Sequence, residues 1–66
     1  MKIFLNGKEL AVEPGSTVAC LLNRRGLRPD SIIVEYNYRL VKQDEWATII
    51  LQEGDNIEVL RFVGGG

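Results

Sequence analysis

The sequence predicts an α+β roll in which a mixed sheet of four to five strands carries one main helix on one face. Three observations lead there. Asn6-Gly7 sits between the apolar runs Ile3-Phe4-Leu5 and Leu10-Ala11-Val12, and Asn-Gly in that setting is the strongest short-range hairpin signal. A single amphipathic stretch follows, with capping residues at both ends. Two further runs, Ile32 to Tyr36 and Asn56 to Val63, are β-branched or alternating. One helix then has to cover one face of one sheet, because nothing else in the chain can bury either apolar surface.

The elements read in order as β-β-α-β-(β)-β. In the opening hairpin, alternation places Ile3 and Leu5 on one face and Lys2 and Phe4 on the other. Pro14-Gly15 stops the second strand. Ser16 or Thr17 can accept a hydrogen bond from the first turn of the helix, and Gly26 stands where a left-handed residue ends one. Between these caps Val18, Leu21 and Leu22 form one apolar stripe at i, i+3 and i+4. Arg24 and Arg25 fall in the last turn, where positive charge suits the helix dipole. Arg28-Pro29-Asp30 is a connection. In the third strand Glu35 faces solvent, which turns Ile32, Val34 and Tyr36 inward. Asn37 begins a turn and Leu40-Val41 forms a short strand. Asp44 then caps a single helical turn through Trp46-Ala47, and the apolar run Ile49-Ile50-Leu51 ends at the turn cluster Glu53-Gly54-Asp55. The last strand points Ile57 and Val59 inward and Glu58, Leu60 and Phe62 outward. The expected core is Ile3, Leu5, Leu10, Val12, Val18, Leu21, Leu22, Val34, Ile57 and Val59. Residues 1–63 form one domain and 64–66 a flexible glycine tail.

Composition narrows the function. The chain has 66 residues, 45% hydrophobic and 26% charged, with eight basic and nine acidic side chains for a formal charge of −1. That is a globular profile with no basic excess to attract nucleic acid. There is no histidine and one cysteine. Ser-His-Asp and Cys-His arrangements therefore cannot be built within the chain, and a four-ligand zinc site cannot be supplied by one thiol. A lone cysteine closes no intrachain disulfide, so nothing points to an oxidising compartment. The three consecutive apolar residues after Lys2 are too few for a signal-peptide core, and no stretch approaches the ~18–20 apolar residues of a membrane span. The expectation is a small cytoplasmic domain with no membrane or nucleic-acid partner and no catalytic kit of its own.

The C-terminal Gly64-Gly65-Gly66 is the most informative feature. Three glycines carry no side chain to pack and weaken local order. Composition leaves two readings open: a frayed terminus, or a thin tail that threads into a partner's slot and presents the α-carboxylate of Gly66. Extended, three glycines reach ~10 Å at ~3.3–3.6 Å per residue. At neutral pH that carboxylate is anionic and a poor electrophile, so chemistry at it requires activation, most simply as an acyl-adenylate. The chain has no Gly-x-x-x-x-Gly-Lys-Ser/Thr phosphate loop. ATP would have to be handled by a partner.

At this point the chain resembles, end to end, the ThiS family of sulfur carriers of thiazole (thiamin) biosynthesis, which are ubiquitin-like β-grasp proteins. The residues that carry the resemblance are the Asn6-Gly7 hairpin, Thr17-Val18 and Leu21-Leu22, Asn37, Val41, Trp46-Ala47, Gly54-Asp55 and the closing Gly65-Gly66. Gly64 adds a third glycine to the family's diglycine. The resemblance implies that an E1-like adenylyltransferase of the ThiF type, using ATP and magnesium, adenylates Gly66. A sulfur donor enzyme then displaces AMP to leave a thiocarboxylate, and a thiazole synthase of the ThiG type takes up the sulfur. The chain itself would bind no cofactor and be a carrier rather than an enzyme. Alternatives are the small subunit of molybdopterin synthase, and a ubiquitin-like module that binds without covalent chemistry.

Docking is expected on the sheet face away from the helix, where alternation places Phe4, Leu60 and Phe62, together with Gly64 and Gly65 of the tail. Other residues have plainer readings. Cys20 has apolar neighbours in the helix and reads as a small hydrophobe. Trp46 packs under a loop. Arg24, Arg25 and Arg28 form a solvated helix end, and the carboxylate pairs Asp44-Glu45 and Glu53/Asp55 suit caps and turns.

Overall fold

In the opening hairpin, Asn6 and Gly7 both take positive φ, 51° and 81°, the requirement of the type I′ turn that matches the twist of two short strands. The computed structural model describes residues 1–61. The turn joins β1 (Lys2–Leu5) to β2 (Lys8–Ala11) in antiparallel register, Lys2 opposite Ala11 and Leu5 opposite Lys8.

Helix α1 spans Val18–Arg24, and Thr17 is its N-cap, with Oγ1 accepting the Cys20 N–H at 3.1 Å. At the other end Gly26, at φ 68°, donates to the Asn23 carbonyl while Leu27 donates to Leu22. This pair of bonds is the Schellman motif, and it leaves Leu27 packed against the core. A 3-10 turn over Pro29–Ser31 leads into β3 (Ile32–Tyr36), and Asn37-Tyr38, again both at positive φ (49° and 69°), turn it into β4 (Arg39–Val41). A second 3-10 turn, Gln43–Thr48, follows. Its cap differs from the expected Asp44. The Glu45 carboxylate reaches back to accept the Lys42 N–H at 2.8 Å, because Glu45, three residues on, is the side chain whose length closes that ring. The Ile49-Ile50-Leu51 run is a strap that pairs with the entry to α1: Val18 donates to Ile49 O at 3.0 Å and Leu51 to Ser16 O at 2.8 Å.

Strand β5 (Asn56–Arg61) lies at the centre of a five-stranded sheet ordered β2-β1-β5-β3-β4. It runs parallel to β1 and antiparallel to β3, with Leu5 opposite Ile57 and Val34 opposite Val59. The Asn6 side chain ties hairpin to centre by accepting the Val59 N–H at 2.8 Å. Phe62 and Val63, read from sequence as the end of this strand, lie outside the described residues together with Gly64–Gly66.

Helix α1 and both 3-10 turns leave one face of the sheet uncovered, and the core fills the other. Ile3, Leu5, Val18, Leu21, Leu22, Val34 and Ile57 are buried as expected. Leu10, Val12 and Val59 were expected in the core but are only half-buried, since β2 is an edge strand and the helix is too short to cover the ends of the sheet. The volume is completed by Ile32, which the alternation of β3 turns inward as expected, and by Val41, Trp46 and Leu51 from the segment after β3. Trp46 packs under its loop as expected, although its buried indole N–H finds no hydrogen-bond partner among the described residues.

Candidate functional site

The uncovered face is built by the period-2 alternation of five strands. The register sets Phe4 beside Glu9 of β2 and Asn56 of β5, Leu60 beside Ile33 of β3, and Glu58 directly opposite Glu35, which in turn faces Leu40 of β4. Leu60 and Leu40 are 56% and 62% exposed. Phe4 and Leu60 thus share the outward face, though not a single contact cluster. Leu60 lies four positions along β5 from the partner of Phe4, roughly 13 Å at the strand rise, with Glu58 between. Phe4 is half-buried, and its ring carries the Lys2 ammonium at 5.7 Å from the centroid. Lys2 is held in turn by Glu9 at 3.9 Å. Phe62, Gly64, Gly65 and Gly66, the other residues singled out in the sequence, lie outside the described residues. Ile33 and Leu40 belong to the apolar part of this face and were missed as candidates. The signal was present: once Ile32 and Val34 are assigned inward, Ile33 has to point out.

A polar knot closes one end of the sheet. Asp55 is the buried charged residue among those described, 8% exposed. Its Oδ2 accepts the Tyr36 hydroxyl at 2.6 Å and the Gln52 N–H at 2.7 Å, and its Oδ1 accepts the Asn37 amide at 3.2 Å. Asn37 completes the link by accepting the Asn56 N–H at 2.8 Å. Burial, then hydrogen bonding to Asp55, pushes the Tyr36 hydroxyl up to about 12. With three donors holding both oxygens, Asp55 is a structural clasp. Glu53 likewise caps, accepting the Lys2 N–H at 3.0 Å.

Cys20 corrects its reading. It is exposed rather than packed among its apolar neighbours, because α1 turns Val18, Leu21 and Leu22 to the core and leaves position 20 on the solvent side. The Thr17 hydroxyl, bonded to it, lowers the thiol's pKa, and Arg24 adds a smaller effect in the same direction. Among the described residues no helix is long and apolar enough to cross a membrane.

A five-stranded mixed sheet with a parallel central pair and one helix across its inner face defines a ubiquitin-like β-grasp protein. The match to known sequences is narrower than that class. The ThiS family model covers residues 2–66, and the chain belongs to the ThiS family. The sulfur carrier protein ThiS of Escherichia coli (strain K12) is 30% identical over 66 residues, which span all of both chains. A thiazole synthase of Magnetococcus marinus is 42% identical over 66 residues. The chain spans 20% of that protein's length, and about one fifth is also its share of a second thiazole synthase it matches. The crystal structure of the thiamine biosynthesis protein ThiS from Geobacter metallireducens superimposes with a TM-score of 0.85 at 28% identity, covering 100% of both chains.

Proposed function

We propose that this chain is a sulfur carrier of thiazole biosynthesis in which the α-carboxylate of Gly66 is the reacting group. The observation that carries the proposal is the family match running through residue 66 on a body whose outer sheet face is open. In the first step a carboxylate oxygen attacks the α-phosphorus of ATP on a ThiF-type adenylyltransferase, with magnesium, and pyrophosphate leaves. A sulfur donor enzyme then displaces AMP from the acyl carbon, leaving a thiocarboxylate. The thioacid is a better nucleophile than a carboxylate at neutral pH, which suits delivery to a ThiG-type thiazole synthase. Similarity to a fifth of each of two thiazole synthases supports that receiver. Residues 64–66 act as the thin reach into each partner, and Phe4, Leu60 and Phe62 as the apolar docking positions. The chain is in this reading a co-substrate in the cytoplasm, with the chemistry performed by its partners.

Intact mass after incubation with a ThiF-type enzyme, ATP and a sulfur donor should show one sulfur-for-oxygen exchange, localised to Gly66 by fragmentation. Deleting Gly66 should abolish the exchange while leaving the fold, read by circular dichroism, unchanged. Exchange that survives the deletion would rule the proposal out.

A further inference from the structure

The near-neutral formal charge conceals a cluster of cations at one end of the sheet. Strand β5 starts beside the acidic turn Glu53–Asp55 and ends at Arg61. Around that basic end, three adjoining surface clefts bring together cations from four separate segments. One cleft is lined by Lys8 of β2 and Arg25 at the helix C-cap; the next by Arg25 and Arg61; the third by Arg61 and by Arg28 from the loop after α1. These four are half of the chain's eight lysines and arginines, and all four are exposed. The helix dipole accounts for Arg25 but not for Lys8, Arg28 or Arg61, which are not on the helix. Glu9 is the one acid lining these clefts among the described residues, and it holds Lys2. The ion pairs among the described residues are Lys2–Glu9 and Arg39–Glu45, so none uses this cluster.

We infer that Lys8, Arg25, Arg28 and Arg61 form a basic collar that docks against an acidic protein surface rimming the entrance through which a partner receives the chain's terminus. The inference rests on the sulfur-carrier reading and adds to it the charge of the partner's rim. Five residues follow Arg61, so at ~3.3–3.6 Å each Gly66 lies no more than about 18 Å from it. A partner that grips Gly66 through an extended tail must face the collar. The lining favours protein over nucleic acid. Leu5, Leu27 and Val59 lie among the cations, and among the described residues no aromatic ring lines these clefts to stack a base.

The test is the salt dependence of the adenylation kinetics with a ThiF-type adenylyltransferase, measured by ATP–pyrophosphate exchange on the full chain. The double variant Arg25→Ala/Arg61→Ala should raise KM for the carrier about tenfold, hold kcat, and flatten the dependence of KM on ionic strength. The Arg25→Lys/Arg61→Lys pair should restore most of both. Arg25 caps the helix through its backbone N–H, so alanine there keeps the cap; circular dichroism checks the fold. An unchanged KM with normal adenylation overturns the collar alone. No adenylation of the unaltered chain at any salt overturns the collar together with the carrier reading. Tight binding of a labelled single-stranded RNA at physiological salt, lost in the alanine pair, overturns the choice of a protein partner.

Discussion

Asp55 shows how one residue can carry a sheet's end. Its carboxylate accepts from Tyr36, Asn37 and the Gln52 backbone, and so joins β3, the turn after it and the entry to β5. Tyr36→Phe removes one donor and leaves a buried carboxylate oxygen short of a partner. Hydrogen bonds to charged groups contribute ~1.5–3 kcal/mol, and a half-buried hydroxyl belongs at the low end. A loss of about 1.5 kcal/mol in urea unfolding is expected. The pH dependence carries its own signature. The folded state holds the Tyr36 proton more tightly than the unfolded chain, with its hydroxyl raised from 10.0 to about 12. Its contribution is therefore whole below pH 10 and is lost as pH rises toward 12. The wild type should lose stability across that window more steeply than Tyr36→Phe, and parallel curves would refute the assignment. Tyr38, 78% exposed and at φ 69°, is the residue of this turn whose conformation L side chains disfavour.

At the level of strands, the outward face sets two carboxylates against each other. Glu35 and Glu58 are direct cross-strand partners in the pair formed by β3 and β5. Neither is in either of the ion pairs found among the described residues. Like charges directly opposite destabilise a sheet, by roughly 0.2–1 kcal/mol. Glu58→Gln should raise the unfolding free energy by that amount, and the gain should shrink as salt is added. The arrangement could not be read from either strand alone. Alternation shows that Glu35 and Glu58 both point outward, but their juxtaposition depends on which strands pair and in what register. That was decided by the parallel crossover that brings β5 between β1 and β3.

For the molecule as a whole, size is the governing constraint. A chain of 66 residues has on the order of 3–5 kcal/mol of net stability when no staple supplements it. Ile57, on the central strand and fully buried, touches that margin directly. Replacing it with alanine should cost about 2–5 kcal/mol, enough to take most of the folded state away. Loss of the cooperative thermal transition in Ile57→Ala is the expected result. The core owes its completeness to the segment from Val41 to Leu51, which supplies Val41 from the end of β4 and Trp46 and Leu51 from short, irregular structure. Periodicity detects such residues poorly, because a 3-10 turn and a strap repeat neither every two nor every 3.6 residues.

What the sequence by itself determined is local. The Asn6-Gly7 turn, the Thr17 cap, the Gly26 stop and the alternation in β1, β3 and β5 each follow from backbone or side-chain chemistry within a few residues, and each is found in the structure. The order of elements, with one helix to cover one sheet, was legible for the same reason. Tertiary structure alone decided what depends on distant partners. It left Leu10, Val12 and Val59 half-buried and gathered Lys8, Arg25, Arg28 and Arg61 at one end. Burial and charge proximity are properties of the packed chain, set by strand order and helix length, and neither is encoded in the spacing of neighbours along it.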